Sequence, residues 1–111
     1  MNEIKQGFPD AISRRDVEAT ITFLPTEQGG RKSPAYKGYR PQFYYDGGDW
    51  LAGYEFPGVE SINPGDTLHA YIVFGVPRQH VGKLHVGKPF LLREGQHIVA
   101  YGVITAILQL E

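Results

Sequence analysis

The chain has 111 residues, the usual size of a single domain. Eleven Lys and Arg residues against twelve Asp and Glu residues give a net charge of −1, so no overall field draws the chain to nucleic acid or a membrane surface. The absence of cysteine excludes a disulfide scaffold, a cysteine-ligated metal site and a thiol nucleophile, and the 14 glycines favour a fold with many tight turns.

Residues 1–15 contain Pro9, mixed charges and no regular period, so we predict a tail or strap that lies on a domain formed by residues 16–111. This segment has no apolar run of the signal-peptide type, and no later run approaches the length of a membrane span. We therefore expect a cytoplasmic protein.

The first alternating segment is residues 16–24, where apolar and polar residues follow each other with the period of a half-buried strand. Pro25 ends this strand, and a polar loop with Gly29 and Gly30 follows. One face of the predicted strand carries Val17, Ala19, Ile21 and Phe23.

A second strand is predicted around residues 39–45, with Phe43 in the core and with Tyr39 and Arg40 at the surface near the strand entrance. An Asp-Gly-Gly-Asp turn leads into a third strand at residues 50–56, which alternates in the same way. Both strands are rich in aromatic residues, as half-buried strands often are.

The rest of the chain also predicts strands and turns. After a turn at residues 63–66, a long strand covers residues 67–76, and residues 77–88 form an extended loop or loose hairpin. A short strand at residues 89–94 and a tight turn precede the final strand at residues 97–110. The final strand is apolar on both faces, so we expect a loop, tail or partner to cover its second face. Six or so strands without a helical period indicate a sandwich or a closed barrel.

Catalytic motifs are missing from the sequence: it has no phosphate loop, no dinucleotide-binding glycine pattern and no serine in a nucleophile elbow. Asp46 and Asp49 flank a turn, where aspartate commonly bonds to the backbone. We expect no enzymatic activity, no cofactor and no metal. The four histidines have spacings unlike any common metal site, and we expect ordinary surface or strand positions for His69, His80, His85 and His97.

Basic residues concentrate in two places, which leaves two interpretations open. Arginines and lysines beside tyrosines can hold phosphates, but they also occur in solvated surface loops. The first group is Arg31, Lys32, Lys37 and Arg40, and the second is Arg78, Lys83 and Lys88.

Three segments together resemble a known family. "EQGGRKSPAYKGYRPQFYY", then "NPGD" before a long apolar strand, then "FLLREGQHIVAYGVITAIL" are similar in order and spacing to the third, C-terminal domain of bacterial elongation factor Tu. The resemblance covers about residues 16–110. It implies an all-β fold with a single six-stranded antiparallel β-barrel. The GTPase domain of the family has no counterpart in these segments, so we expect no GTP binding.

The resemblance also implies two kinds of contact. In the family this domain helps to hold the T-arm of aminoacyl-tRNA, packs against the GTPase domain and contacts the exchange factor Ts. Residues at family positions near the T-arm are Arg31, Lys32, Gln42 and Gly95. Residues at or near the protein interface are Tyr39, Arg40, Gln42, Leu91, Leu92, Arg93 and Glu94.

Several positions depart from the family pattern. Val76 stands where His or Lys is usual, and Ala52 replaces a threonine that can reach RNA. Gln96 and His97 replace a glycine and an arginine, and the loop after Pro77 is longer. We therefore expect a non-catalytic module that binds a protein partner, as decoy, competitor or regulator. That partner would be a translation factor, an exchange factor or a toxin. The alternatives are an RNA-binding module that contacts the T-arm of tRNA, and a folded relic without a role.

Overall fold

A computed structural model describes residues 14–110, so the tail or strap predicted for residues 1–15 lies almost wholly outside the described residues. The described chain contains strands and two short 3-10 turns, at Thr26–Gln28 and Pro77–His80. No helix in this range has the length and hydrophobicity that crossing a membrane requires. The strands are β1 (Val17–Phe23), β2 (Ala35–Tyr36), β3 (Gln42–Tyr45), β4 (Gly48–Trp50), β5 (Ala52–Glu55), β6 (Ser61–Ile62), β7 (Thr67–Phe74), β8 (Pro89–Glu94) and β9 (His97–Ile107).

Seven strands form one antiparallel sheet in the order β4-β3-β8-β9-β1-β7-β5, and β2 pairs with β6 in a separate ribbon. The two edge strands, β4 and β5, are consecutive in the chain and only Leu51 lies between them. The sheet must therefore curl until its edges meet, and Leu51 is held there because its carbonyl accepts a hydrogen bond from the Gly75 N–H at 3.0 Å. Counted as one bent strand, β4 and β5 complete the six-stranded barrel that was predicted.

The inward faces of the strands form one core, as the alternation of the sequence predicts. Val17, Ile21 and the other inward residues of β1 are buried. Phe43 stacks on Phe90 with ring centroids 4.4 Å apart. Phe90 in turn covers Gly102, where a Cβ would lie 2.4 Å from the Phe90 ring. Glycine is required at this position because any larger side chain would overlap the Phe90 ring.

Some predicted elements differ from those observed. Strand β3 begins at Gln42 because Pro41, just before it, has no N–H to give to a ladder. Tyr39 lies only partly at the surface, because its ring packs against Phe23 with ring centroids 6.3 Å apart. The predicted loop at residues 77–88 is not loose, since its 3-10 turn and the buried side chain of Leu84 anchor it to the barrel.

Asp16, at the entrance to β1, is a buried carboxylate that the sequence pattern does not reveal. Its Oδ2 accepts a hydrogen bond from the Phe74 N–H at 2.8 Å, and the Arg14 guanidinium donates to both carboxylate oxygens. Its own N–H donates to the Ile72 carbonyl at 2.9 Å, and its carbonyl accepts from the Leu108 N–H. Asp16 thus ties the start of β1 to the end of β7 and to the chain that follows β9.

Replacing Asp16 by Ala is expected to lower the free energy of unfolding by about 2–4 kcal/mol, because the buried Phe74 N–H loses its acceptor. The matched control is Asp49→Ala. An arginine also donates to both carboxylate oxygens of Asp49, but this carboxylate lies at an exposed site. The control should cost less than about 1 kcal/mol. Urea denaturation measures both values, and equal losses would contradict the role given to Asp16.

Candidate protein-binding site

Three side chains for which the resemblance implies different contacts meet at one end of the barrel. They are Arg31, Tyr39 and Glu94, and we call them the Glu94 cluster. The Arg31 guanidinium forms an ion pair with Glu94 and lies over the Tyr39 ring, 4.8 Å from its centroid. The Tyr39 hydroxyl donates to Glu94 Oε2 at 2.5 Å. One carboxylate therefore holds both the residue expected to contact RNA and a residue expected to contact protein.

Backbone geometry positions the Glu94 cluster. Gly30 lies so close to the preceding strand that a Cβ would be 2.0 Å from the Leu24 carbonyl oxygen, which fixes the course of the loop into Arg31. Thr26 Oγ1 donates to the Arg31 carbonyl at 2.6 Å. On the other side, His97 Nε2 donates to the Gly29 carbonyl, also at 2.6 Å, so the first residue of β9 anchors the same loop.

The electrostatics keep Glu94 ionised and Tyr39 protonated. Partial burial opposes ionisation of Glu94, but hydrogen bonds from Tyr39 and Arg31 outweigh it and lower the pKa of the carboxyl group. Burial, together with the hydrogen bond to Glu94 and its charge, raises the pKa of Tyr39 well above its ordinary value. The positive charge of Arg31 is therefore balanced by a permanent negative charge in contact with it.

Outward-facing side chains of β3 and β8 form a second group, and we call Gln42, Tyr44, Leu91 and Arg93 the β3–β8 face. Gln42 is exposed, and the other three are partly buried. The strand register pairs Gln42 with Arg93 and Tyr44 with Leu91. The Arg93 guanidinium lies over the Tyr44 ring, 4.1 Å from its centroid. Arg93 also donates to both carboxylate oxygens of Asp49, at 2.6 and 3.1 Å. The result is an ordered surface of one amide, one aromatic ring, one aliphatic side chain and one paired arginine.

Other predicted site residues lie elsewhere. Leu92 is fully buried in the core, in register with Phe43, so its side chain does not reach the surface where a partner was expected to contact it. Gly95 lies in the tight turn between β8 and β9 with φ of 62°, and Lys32 and Arg40 are exposed. Lys32 and Gly95 thus lie next in sequence to members of the Glu94 cluster.

Sequence reasoning missed several partners of the site. Asp49 and Asp46 were expected to bond to the backbone of their turn, but they form ion pairs with Arg93 and Lys88 instead. Tyr44 was not singled out, although the pattern of β3 places it on the outer face, opposite in direction to Phe43. Ala52, where a threonine was expected to reach RNA, is buried in the core.

The histidines do not assemble into a site. Within residues 14–110, no group of three or more His, Asp or Glu side chains lies close enough to hold a metal ion. The expectation of a surface or strand position is wrong for His80, because this residue is fully buried in the 3-10 turn Pro77–His80. His80 Nδ1 shares a hydrogen bond of 2.7 Å with the Tyr45 hydroxyl, and Nε2 has no hydrogen-bond partner in the described part of the chain.

The environment of His80 favours the neutral imidazole. Burial lowers the pKa of His80, the charge of Lys83 lowers it further, and the charge of Asp16 opposes both. The rings of Phe74 and Trp50 pack on the imidazole with centroid distances of 4.3 and 4.7 Å. A proton on His80 would therefore be bound less tightly in the folded chain than in the unfolded chain.

We predict a loss of stability as the pH falls below about 6.5, the ordinary pKa of histidine, because the unfolded chain then binds a proton that folded His80 resists. The slope from this one group is at most about 1.4 kcal/mol per pH unit. His80→Gln should remove the contribution of His80 to the fall in the free energy of unfolding between about pH 7 and 5.5. The control His85→Gln, at an exposed position, should leave that fall unchanged. Thermal or urea unfolding across this pH range tests the prediction, and an equal slope in all three proteins would contradict it.

The described residues form a single all-β barrel whose outer face carries several ion pairs. Residues 11–108 match the family of the elongation factor Tu C-terminal domain. This match covers most of the chain, so the chain belongs to that family, and the resemblance seen in the sequence is confirmed.

Proposed function

We propose that this domain is a non-catalytic binding module that uses the β3–β8 face to engage a protein partner of the translation machinery. The observation that carries the proposal is the outward presentation of Gln42 beside the stacked and ion-paired Arg93. Aromatic residues and arginine are enriched in protein interfaces, and this face offers both in fixed positions.

The internal pairing of charges supports a protein partner. Arg93 is paired with Asp49 and Arg31 with Glu94, so a partner that covers this surface leaves neither charge without a counterion. Unpaired charge is costly to bury, whereas pairs formed before binding add little to the cost of association. A largely neutral protein surface can therefore dock here.

The same pairing weakens the case for RNA. Affinity for a nucleic-acid backbone comes from cations that replace the counterions of phosphates. Arg31 is already neutralised by Glu94, and the carboxylate repels a phosphate placed beside it. Lys32 and Lys37 are exposed on the two sides of β2, and Arg78 and Lys83 are exposed in the segment after β7. Weak binding of tRNA would depend on side chains of this kind.

The first partner to test is the GTPase domain of elongation factor Tu, since the family resemblance places Gln42 and residues 91–94 near that domain. A separate copy of the third domain that occupies this surface would compete with the factor's own third domain. The role proposed is therefore that of a competitor or regulator of the factor, and the exchange factor Ts is the second partner to test.

Gln42→Lys is expected to weaken binding to the factor's GTPase domain at least about tenfold, because the added charge has no partner on a face whose charges are already paired. The control is Gln79→Lys, the same change at an exposed position in the 3-10 turn after β7. Calorimetry or biolayer interferometry with the GTPase domain, loaded with a GTP analogue, and with Ts measures the change. Equal effects of the two variants, or no binding of either protein, would contradict the proposal.

A parallel measurement with tRNA separates the two classes of partner. If the domain retards tRNA in a gel at about 50 mM salt, and Lys32→Ala abolishes this while Gln42→Lys does not, the RNA-binding function replaces the one proposed. The protein-binding proposal predicts weak retardation or none at that salt concentration.

A further inference from the structure

The segment between β7 and β8 is held to the barrel by side chains rather than by its backbone, and we call its residues 76–86 the flap. In the described part of the chain, the backbone hydrogen bonds of the flap run to residues nearby in the sequence, and none reaches a strand. The N–H groups of Lys83 and Leu84, for example, both donate to the His80 carbonyl, at 3.0 and 3.2 Å. The flap can therefore leave the sheet without breaking a hydrogen bond of a strand ladder.

Both ends of the flap are fixed to the barrel by backbone hydrogen bonds. Before the flap, the Gly75 N–H donates to the Leu51 carbonyl at 3.0 Å. After it, the Gly87 N–H donates to the Ile104 carbonyl at 2.8 Å, and the Ile104 N–H donates to the Lys88 carbonyl at 3.0 Å. An open flap would therefore remain tethered at both ends.

Two buried side chains anchor the middle of the flap. His80 is 0% exposed and Leu84 5% exposed, whereas the other flap residues are exposed or partly exposed. The His80 imidazole is held by the Tyr45 hydroxyl and by the rings of Trp50 and Phe74. One of the two anchors is thus a group that can take up a proton.

A proton on His80 is poorly accommodated while the flap is closed. An imidazolium donates a hydrogen bond from each ring nitrogen. The Tyr45 hydroxyl can accept from Nδ1, but Nε2 has no acceptor within residues 14–110. A buried charge with an unsatisfied donor is costly, whereas water satisfies both nitrogens once the imidazole is exposed.

The charges around His80 do not supply the missing partner. Lys83, in the flap itself, opposes a positive charge on the imidazole. Asp16, at the entrance to β1, favours that charge, but its carboxylate already accepts from the Arg14 guanidinium and the Phe74 N–H. The other groups near the imidazole carry no net charge, and they are the Tyr45 hydroxyl, the rings of Trp50 and Phe74 and, beyond Tyr45, the ion pair of Lys88 with Asp46.

We propose that the flap is a pH-sensitive element, which protonation of His80 opens while the seven-stranded sheet stays folded. Opening exposes His80 and Leu84 to water and uncovers the ring surfaces of Tyr45, Trp50 and Phe74 on which His80 packs. The strand ladders and the tethers at both ends remain in place, because they do not include a flap residue.

A local opening differs from the acid sensitivity of the whole domain. A loss of stability at low pH would follow equally if residues 14–110 unfolded in one step. The open flap is a separate state that needs less free energy than global unfolding. It does not depend on the protein-binding function proposed above, because no flap residue belongs to the β3–β8 face.

The direction of the pH effect follows from the two environments of His80. In the open flap its pKa is near the ordinary value of about 6.5, and burial lowers the pKa in the closed flap. The open state therefore binds a proton more tightly, so its share rises as the pH falls below about 6.5. Between about pH 7 and 5.5, the ratio of open to closed flap should rise by up to about eightfold.

Amide hydrogen exchange, followed by NMR at several low urea concentrations, tests the flap, with protection factors taken against the intrinsic exchange rate at each pH. The amides of Lys83 and Leu84 report on the flap, and those in the ladder of β1 and β9 report on the sheet. Protection of the flap amides should be lower than that of the sheet and nearly independent of urea, because a local opening exposes little surface. It should fall by up to about eightfold between about pH 7 and 5.5.

His80→Gln should abolish this fall, since glutamine does not titrate, and the control His85→Gln, at an exposed position in the same flap, should keep it. Equal falls in the unmodified domain and in His80→Gln would overturn the proposal. Amides of Lys83 and Leu84 without protection at about pH 7 would also overturn it, because the flap would not be closed.

The urea series uses the unmodified domain, so it decides even if His80→Gln does not fold. Flap amides that share the urea dependence of the β1 and β9 amides would open only together with the whole domain. That result would overturn the flap and leave the acid sensitivity of the domain intact.

Discussion

The closure of the sheet at Leu51 is the constraint on which the rest of the structure depends. Strands β4 and β5 occupy opposite edges of the sheet, and a single residue joins them, so no open arrangement of the seven strands is available. Closure gives every strand of the barrel one inner and one outer face. The inner faces are filled by the apolar core, so binding must use the outer faces and the loops at the two ends.

Charge pairing is unevenly distributed over the outer surface of the barrel. Ion pairs border β3 and β8, where Arg93 meets Asp49 and Arg31 meets Glu94, and uncharged residues occupy the middle of the sheet around β9. A partner that covers the paired residues Arg93 and Asp49 leaves neither charge without a counterion, and an unpaired charge is the costly outcome in an interface. This pairing is the basis of the proposal that the β3–β8 face binds protein.

Much of the fold could be predicted because a strand shows its period locally. The alternation of β1 and β7, the turns and the two faces of β9 are all visible within stretches of about ten residues. The unpredicted features depend on contacts between distant parts of the chain. Asp16 binds the backbone of Phe74, His80 binds Tyr45, and Arg93 stacks on Tyr44, and no local pattern encodes these pairs. The resemblance named Arg31, Tyr39 and Glu94 as separate site residues, but it could not show that Glu94 neutralises Arg31.

The central claim is that the outer face of β3 and β8 binds protein. Amide chemical shifts of the isotope-labelled domain test it most directly, in titrations with the factor's GTPase domain and, separately, with tRNA. The account predicts that the GTPase domain shifts the signals of Gln42, Tyr44, Leu91 and Arg93, and that tRNA leaves them in place. Shifts confined to Lys32, Lys37 and Gly95 on addition of tRNA, with no response to the GTPase domain, would contradict it.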